Sequence, residues 1–232
     1  MNEPGSDRSP GASDKALPEE TRFNLGCGAT IQPGWENLDG SPRAWIVQWL
    51  PSVDRLAAWL GRPSGFRRGV RHRDLRRGLP CASGTAACIN AGEVWEHLKP
   101  KEAAKLTRDC FRALASGGVL RVLVPVGAAF WRAYVELHEA AQKESDPTTA
   151  KDVQNYVSRY FKDICVEPSL WMGKYHRWQF DEAQLVQLFL AAGFENVERR
   201  AVHDSRIPGI EEIEQKKNTE RFLVVEGSKA WA

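Results

Sequence analysis

Short apolar segments alternate with longer amphipathic segments along this chain. Seven short segments have the length and apolar content of β-strands, and they are residues 22–26, 36–39, 70–74, 86–91, 119–125, 195–202 and 221–226. Strands that alternate with helices form a sheet covered on both faces, so the pattern predicts an α/β fold. The segment 119–125 is the most apolar, which predicts a central strand. The last connection is too poor in apolar residues for a covering helix, which favours an antiparallel final pair.

Two predicted helices carry signals at both ends. Pro100 suits a first helical turn, and apolar residues then recur at helical spacing until the glycine pair 117–118. Asp181 can cap a second helix together with Gln184, and Gly193 can end it in a left-handed conformation. We expect both helices to pack on the sheet.

A helical insert is expected at about 128–178, because this stretch is longer than a simple crossover needs and is rich in aromatic residues. These residues are Trp131, Tyr134, Tyr156, Tyr160, Trp171 and Trp178. Extra length of this kind often shapes a substrate pocket, and core packing explains it equally well. Aromatic rings in a pocket would suit a sugar or a planar small molecule.

Composition and charge exclude several classes of protein. With 42% hydrophobic and 27% charged residues, the chain is neither fibrous nor disordered throughout. The formal net charge of +2 gives no strong argument for a nucleic-acid or membrane partner. No apolar run is long enough to span a bilayer. Residues 1–20 lack an apolar stretch, which predicts a disordered leader before a domain at 21–232.

Cysteines and arginines add two smaller expectations. The five cysteines include no Cys-x-x-Cys pair, which argues against a disulfide framework or a zinc site and favours a cytoplasmic location. Seven arginines lie between Arg62 and Arg77. They could bind a phosphorylated acceptor, but such runs are more often solvated faces.

The first predicted strand runs directly into two glycines, Gly26 and Gly28. Glycine allows a sharp turn there and lets a ligand lie against bare backbone, although an ordinary turn has the same pattern. Asp39 ends the second strand, where a carboxylate can hold ribose hydroxyls or form a turn. Asp74 ends the third strand and could accept a hydrogen bond from an adenine amine or pair with nearby arginines.

Several motifs follow one another in a fixed order along residues 22–229. They are Asn24–Gly28, Pro33–Asp39, Asp74–Leu75, Leu79–Pro80, Glu96–Leu98, Leu114–Leu120 and Ala191–Phe194. In this order and spacing they resemble the type 11 group of class I S-adenosylmethionine-dependent methyltransferases. The resemblance implies a doubly wound Rossmann-like fold, with a mostly parallel seven-stranded sheet whose last strand is antiparallel. It also implies S-adenosylmethionine as the cofactor.

The same resemblance implies a set of cofactor-binding residues. They are Leu25, Gly26, Cys27, Gly28, Asp39, Asp74, Leu75, Ala91, Gly92 and Glu93. The glycine segment would line the methionine part, and the acids after the second and third strands would hold the ribose and the adenine. Residues 91–93 would lie beside the sulfonium.

One departure concerns the connection after the glycines. Only eight residues separate Gly28 from Asn37, and 33–34 is Pro-Gly, so a full crossover helix does not fit. The first helix should therefore be short or missing, which leaves the pairing of the second strand open. A dinucleotide site needs a third glycine and a helix at this point, whereas the chain has Ile31 there.

The segment 93–97 carries two glutamates and a histidine, and it has two interpretations. It resembles the passage by which quinone-biosynthesis and small-RNA ribose O-methyltransferases hold a divalent ion, which would make Glu93, Glu96 and His97 metal ligands. We favour the alternative without metal, in which His97 bonds backbone and orders the pocket. His176 is the best remote candidate for a ligand or a base, and a surface histidine is the competing interpretation. His97 and His176 are thus the candidate catalytic residues.

Together these features predict a cytoplasmic methyltransferase that acts on a hydroxyl, or another nucleophile, of a small molecule such as a sugar or a natural product. The alternative is a protein that binds S-adenosylmethionine for regulation or as a scaffold, without catalysis. A nucleic-acid methyltransferase and a nicotinamide-dependent dehydrogenase are less favoured. The sequence does not specify the oligomeric state.

Overall fold

A computed structural model describes residues 21–28, 30–50, 52, 55, 56, 59, 60, 69–144, 147–160, 176–214 and 221–231. The predicted leader 1–20 lies outside the described residues. So do Arg62, Arg67 and Arg68 of the arginine run, together with Trp171 of the predicted insert.

Seven strands form one sheet in the described part of the chain. They are β1 (Thr21–Leu25), β2 (Glu36–Asp39), β3 (Val70–His72), β4 (Ala86–Gly92), β5 (Leu114–Pro125), β6 (Glu195–Arg200) and β7 (Phe222–Ser228). Their spatial order is β3-β2-β1-β4-β5-β7-β6. The first five strands pair in parallel, and β7 runs antiparallel to both β5 and β6. This confirms the predicted mostly parallel, doubly wound sheet with an antiparallel last strand.

The described helices lie between these strands. They are α1 (Pro42–Trp49), α2 (Pro100–Ala113), α3 (Gly127–Glu144), α4 (Pro147–Tyr160), α5 (Glu182–Ala192) and α6 (Ile210–Ile213). Two short 3₁₀ helices cover Leu75–Arg77 and Trp95–His97. Within the described residues, no helix combines the length and the apolarity needed to cross a membrane.

The main core lies between the sheet and the helices α2 and α5. Its fully buried members include Ile89 and Leu120 on the sheet, Leu106 on α2, and Leu185 and Phe189 on α5. Burying side chains of this size stabilises the fold by about 1.5–3 kcal/mol each. The two helices that carried end signals in the sequence are therefore the ones that close this core.

Helix α5 begins and ends as predicted. The Asp181 carboxylate accepts from the Gln184 amide at 2.7 Å, and the Gln184 side chain closes the capping box. Gly193 ends the helix with φ +100°, in the left-handed region that glycine enters without a steric penalty.

Helix α2 ends earlier than predicted, at Ala113, and the chain enters β5 at Leu114 instead of 119. The segment before Val119 joins the sheet because Gly117 N donates to Lys229 O and Lys229 N donates to Gly118 O. The Lys229 ammonium also caps the end of α2 by donating to Leu114 O at 2.7 Å. A partner more than a hundred residues away therefore overrides the local helical spacing.

Two other helices were not predicted. The Ser41 hydroxyl accepts from Ala44 N and starts α1, with Pro42 in its first turn. In the last connection, expected to lack a helix, α6 forms one turn, and Ile210 packs against Val119 of the sheet. Because both helices are short, a few contacts determine whether they form.

A buried ionic cluster joins the end of the chain to the central strand. Arg121 of β5 is fully buried and donates two hydrogen bonds to Glu214, at 2.7 and 2.8 Å, and one to Glu226, at 2.8 Å. Arg206 lies 3.5 Å from the second oxygen of Glu226 and supplies the other positive charge. Two cations therefore face two carboxylates, which removes the large cost of an unpaired buried charge.

Replacing Arg121 by Met should lower the free energy of unfolding by about 3–5 kcal/mol, because two buried carboxylates lose their main partner. Arg71→Met is the matched control, since Arg71 pairs with Glu36 on the surface and such pairs contribute about 0–1 kcal/mol. Urea unfolding monitored by circular dichroism measures both values. Equal losses in the two variants would contradict a special role for the buried cluster.

Candidate functional site

The end of β1 turns sharply through two glycines with left-handed backbone. Gly26 has φ +65° and Gly28 has φ +54°, which side chains rarely adopt. Gly26 N donates to Leu38 O of β2 at 2.8 Å, so the turn is fastened to the neighbouring strand. The predicted turn after the first strand is therefore present.

The two glycines are needed for different reasons. A Cβ on Gly26 would lie 2.3 Å from a methyl of Val94 and 3.1 Å from the carbonyl oxygen of Gly92, so Gly26 permits close approach to the end of β4. A Cβ on Gly28 would meet no described atom within 4 Å, and the same holds for Gly92. Bare backbone at the ends of β1 and β4 thus borders open space, which is what a ligand lying against backbone requires.

Asp39 links the end of β2 to this turn. Its carboxylate accepts from Gly28 N at 3.0 Å and from Ser41 N at 2.8 Å, and the residue is only 8% exposed. A carboxylate has about four acceptor positions, so two remain after these bonds. The predicted ribose-binding acid therefore lies beside the glycine turn, with capacity to accept further hydrogen bonds.

Three buried asparagines form a row across the strands next to the turn. Asn24 of β1 donates to Asn37 of β2 at 3.1 Å, and Asn90 of β4 donates to Asn24 at 3.4 Å. The Asn37 side chain also accepts from Gln32 N and donates to Gln32 O and Trp35 O. Sequence reasoning missed this row, although three amides within apolar strands indicate that buried partners exist.

The row explains how β2 pairs without a preceding helix. The connection from Gly26 to Trp35 contains no helix among its described residues, as expected from its length. Its backbone groups bond to Asn37 in place of helical hydrogen bonds. As a result β2 pairs parallel with β1, with Phe23 opposite Glu36, which resolves the pairing that the sequence left open.

Asp74 is engaged by a neighbour. The third strand ends at His72, and Asp74 begins the 3₁₀ helix, where its two carboxylate oxygens accept from the Arg76 guanidinium at 2.8 and 2.9 Å. These hydrogen bonds from Arg76 hold the pKa of Asp74 below its usual value. Pairing with an arginine is one of the two roles that the sequence left open for Asp74. The other role, binding of adenine, stays a prediction. Leu75 is buried directly behind it.

Residues 91–93 lie at the end of β4, next to the glycine turn. Ala91 is fully buried and pairs with Leu25, so the end of β4 lies beside the start of the glycine turn. Glu93 has φ +59°, and its amide donates to Leu123 O. The left-handed residue redirects the chain into the 3₁₀ helix 95–97.

Cys27 takes part in packing. Its side chain is buried with Ala44 and Val70, and burial raises the pKa of its thiol to about 12. The thiol therefore stays protonated at neutral pH, and only the backbone of this residue borders the turn.

The 3₁₀ helix after β4 brings a carboxylate and two imidazoles together. The ligand atoms of Glu96, His97 and His176 all lie within 4.8 Å of one another. The His97 and His176 rings meet edge to face with centroids 5.0 Å apart. Glu93 lies outside this group, and its left-handed backbone precedes the helical turn, which starts at Trp95.

Burial shifts the protonation of this group. Glu96 is 1% exposed, and no described residue bonds either carboxylate oxygen. Desolvation raises the pKa of the Glu96 carboxyl to about 8. Desolvation, together with the nearby His97, lowers the pKa of His176 to about 4, so this imidazole is neutral at pH 7.

The described start of the predicted insert packs against the His176 segment. Trp131 of α3 donates its indole N–H to the Gln179 side chain at 3.3 Å. Trp131 and Trp178 are 48% and 41% exposed. Two partly exposed tryptophans therefore lie on, or against, the segment that carries His176.

This sheet order is that of the class I methyltransferase fold. A scan against protein-family models gives no match, and neither does a search of curated proteins. Among solved structures, an S-adenosylmethionine-dependent methyltransferase from Methanosarcina mazei is similar, with a TM-score of 0.50 and 13% identity over 92% of this chain and 93% of that chain. At this identity the likeness concerns the fold alone.

Two further structures are similar at lower scores. The S-adenosylmethionine-dependent methyltransferase SibL in its apo form has a TM-score of 0.46 and 18% identity over 91% of this chain. An O-methyltransferase family protein from Burkholderia thailandensis has a TM-score of 0.46 and 12% identity over 92% of this chain. The chain spans only 51% and 52% of the lengths of these two proteins.

The raised pKa of Glu96 predicts a pH-dependent stability. The unfolded carboxyl loses its proton above about pH 4.5, whereas the folded one keeps it to about pH 8, so metal-free protein should lose stability as pH rises between these values. Between pH 6 and about pH 8 the loss from this group is about 3 kcal/mol, at about 1.36 kcal/mol per pH unit, and it changes little from there to pH 9. Glu96→Gln should lack this loss.

Urea unfolding of both proteins in the presence of a chelator, at pH 6 and pH 9, measures the difference. Other titrating groups cancel in the comparison because both proteins contain them. The same pH dependence in wild type and Glu96→Gln would show that the carboxyl is already ionised when folded.

Proposed function

We propose that this chain is an S-adenosylmethionine-dependent methyltransferase that methylates a hydroxyl, or another nucleophile, of a small molecule. The observation that carries the proposal is the open space over bare backbone at Gly28 and Gly92, with the Asp39 carboxylate bonded to the Gly28 amide. Gly28 and Asp39 supply a surface without side chains and a buried acceptor, which match the methionine part and the ribose of this cofactor.

The same geometry favours an adenosyl cofactor over a nicotinamide dinucleotide. A pyrophosphate binds at a helix N-terminus, where free amides and the helix dipole meet its charge. The described residues of the connection after Gly28 form no helix, and Asp39 places a negative charge at the Gly28 amide. A carboxylate at this position repels phosphate and tolerates a ribose.

The chemistry asked of the protein is mainly positioning. When bound, the cofactor would supply an electrophilic methyl carbon, which a nucleophile attacks in line with the carbon–sulfur bond so that the thioether S-adenosylhomocysteine leaves. The chain has to hold the acceptor near that carbon and exclude water. His97 follows β4 and His176 packs against His97, so the pair can orient an acceptor hydroxyl, and neutral His176 has one nitrogen that can accept a hydrogen bond.

A small-molecule acceptor is favoured by the surroundings of the histidines. The accessible rings of Trp131 and Trp178 can stack on a sugar or a planar ring. The described arginines 71 and 76 are paired with Glu36 and Asp74, so they offer less to a nucleic-acid backbone. We therefore propose a sugar or a natural product as the acceptor class.

A regulatory or scaffold protein that binds S-adenosylmethionine without catalysis is the second candidate. It is supported by the engagement of Asp74 with Arg76, which leaves the adenine end without an evident acidic partner among the described residues. Both candidates bind the cofactor, so turnover separates them.

Substitution of Gly28 tests cofactor binding. Gly28→Ala should weaken binding of S-adenosylmethionine at least ten-fold, because a methyl group would occupy the space above the bare backbone. Gly84→Ala is the matched control, since Gly84 also has a left-handed φ, +72°, and open space, but precedes β4 and so lies at the opposite end of the parallel strands. Both changes carry similar backbone strain, about 1–2 kcal/mol. Titration calorimetry that gives both variants the same affinity would overturn the proposed site.

Substitution of the two histidines tests catalysis. His97→Ala and His176→Ala should each lower turnover by about 10²-fold or more with little change in cofactor affinity, because a group that orients the acceptor is lost. His138→Ala is the control, since His138 is exposed on α3. The measurement is formation of S-adenosylhomocysteine with a library of sugars and phenols. Unchanged rates in both variants would remove histidine from the scheme, and no turnover with any acceptor would favour the regulatory alternative.

A further inference from the structure

Glu96 is the one buried acid on the loop after β4, and its carboxyl group has no described partner. Its side chain is 1% exposed, and neither carboxylate oxygen has a hydrogen-bond partner among the described residues. Leaving such a group unsatisfied costs about 1–3 kcal/mol or more. A buried polar group without a partner therefore calls for a ligand, a water molecule or an ion.

Two imidazoles face this carboxylate. The ligand atoms of Glu96, His97 and His176 lie within 4.8 Å of one another, yet the carboxylate makes no hydrogen bond to either described ring. Atoms that share one metal ion at about 2.0–2.2 Å stand a little over 3 to about 4 Å apart. The group is therefore wider than a bound ion requires, and a contraction of at most about 1.5 Å between its ligand atoms would close it around an ion.

The backbone holds the three side chains in place. Glu96 O accepts from Arg177 N at 2.7 Å and from Trp178 N at 3.2 Å, which fixes the His176 segment against the 3₁₀ helix. Trp95 is fully buried and donates to the Thr107 hydroxyl at 3.1 Å, which fixes that helix to α2. The group is therefore built from two anchored segments.

We propose that Glu96, His97 and His176 bind a divalent transition-metal ion, with zinc as the reference ion. Two imidazole nitrogens and one carboxylate oxygen form a borderline donor set, which suits Zn²⁺, Co²⁺ or Ni²⁺ better than Mg²⁺ or Ca²⁺. Three protein ligands leave at least one coordination position for water or for an oxygen of another molecule. The site is independent of cofactor binding, and it uses His176 in place of Glu93.

Zinc titration of untagged, chelator-treated protein tests the site directly. Wild type should bind one Zn²⁺, and Glu96→Gln, His97→Ala and His176→Ala should each weaken the affinity about ten-fold or more. His138→Ala should leave it unchanged, because His138 lies on the exposed face of α3. Thermal unfolding with and without Zn²⁺ gives a second reading, since an ion that binds the folded state raises Tm.

Cobalt substitution identifies the donors. Co²⁺ bound by two histidines and a carboxylate should show ligand-field bands without a thiolate-to-cobalt charge-transfer band. A charge-transfer band would show that the ion is bound by a cysteine, such as half-buried Cys81, and would overturn the proposal.

Two further outcomes also overturn it. One is the same zinc affinity in wild type, Glu96→Gln and His176→Ala. The other is a zinc-soaked crystal of wild type whose anomalous density lies elsewhere, or whose three side chains enclose a water molecule. The crystal needs no variant, so it decides the question even if a substitution prevents folding. Methyl transfer is not measured in any of these experiments, so their failure leaves the proposed function standing.

Discussion

The hydrogen bonds from the end of β2 to the connection before it are the constraint on which the site depends. Parallel neighbours normally need a long crossover, and this chain joins β1 to β2 through the ten residues 26–35. Asn37 receives and donates the hydrogen bonds that a helix would otherwise satisfy internally, and Asp39 fixes the Gly28 amide. Without these two side chains, the bare backbone of the turn would have no defined direction.

The two ends of the site are stabilised in different ways. Around the glycine turn, the Asn24, Asn37 and Asn90 side chains are hydrogen-bonded across adjacent strands, and only the Asn90 side-chain oxygen has no partner among the described residues. Around Glu96, the neighbouring polar groups are hydrogen-bonded: Trp95 donates to Thr107, and the Glu96 carbonyl accepts from the backbone. The Glu96 carboxyl itself has no hydrogen-bond partner among the described residues. Because its backbone is held in place and its carboxyl has no partner, Glu96 stays available for a ligand.

Much of the fold followed from local signals. The glycine turn, the acid at the end of β2 and both ends of α5 were predictable, because glycine conformations, capping and the sheet edge act over a few residues. The start of β5 was not, since Lys229 recruits Gly117 and Gly118 into the sheet from the far end of the chain. The left-handed backbone of Glu93 was not evident from the sequence, because residues other than glycine rarely adopt it. The contact of His97 with His176 spans a sequence distance that no local pattern encodes.

The place of β7 between β5 and β6 has a consequence for synthesis. While a ribosome still holds residues 222–228, β6 has no strand beside it, and the outer edge of β5 presents open backbone groups to any other chain. Arg121 on that strand also lacks its partners Glu214 and Glu226 at this stage, because they are translated about a hundred codons later. The nascent protein must therefore pass through a stage with an exposed edge and an uncompensated cation, in which a chaperone that shields β-edges would have its greatest effect on yield.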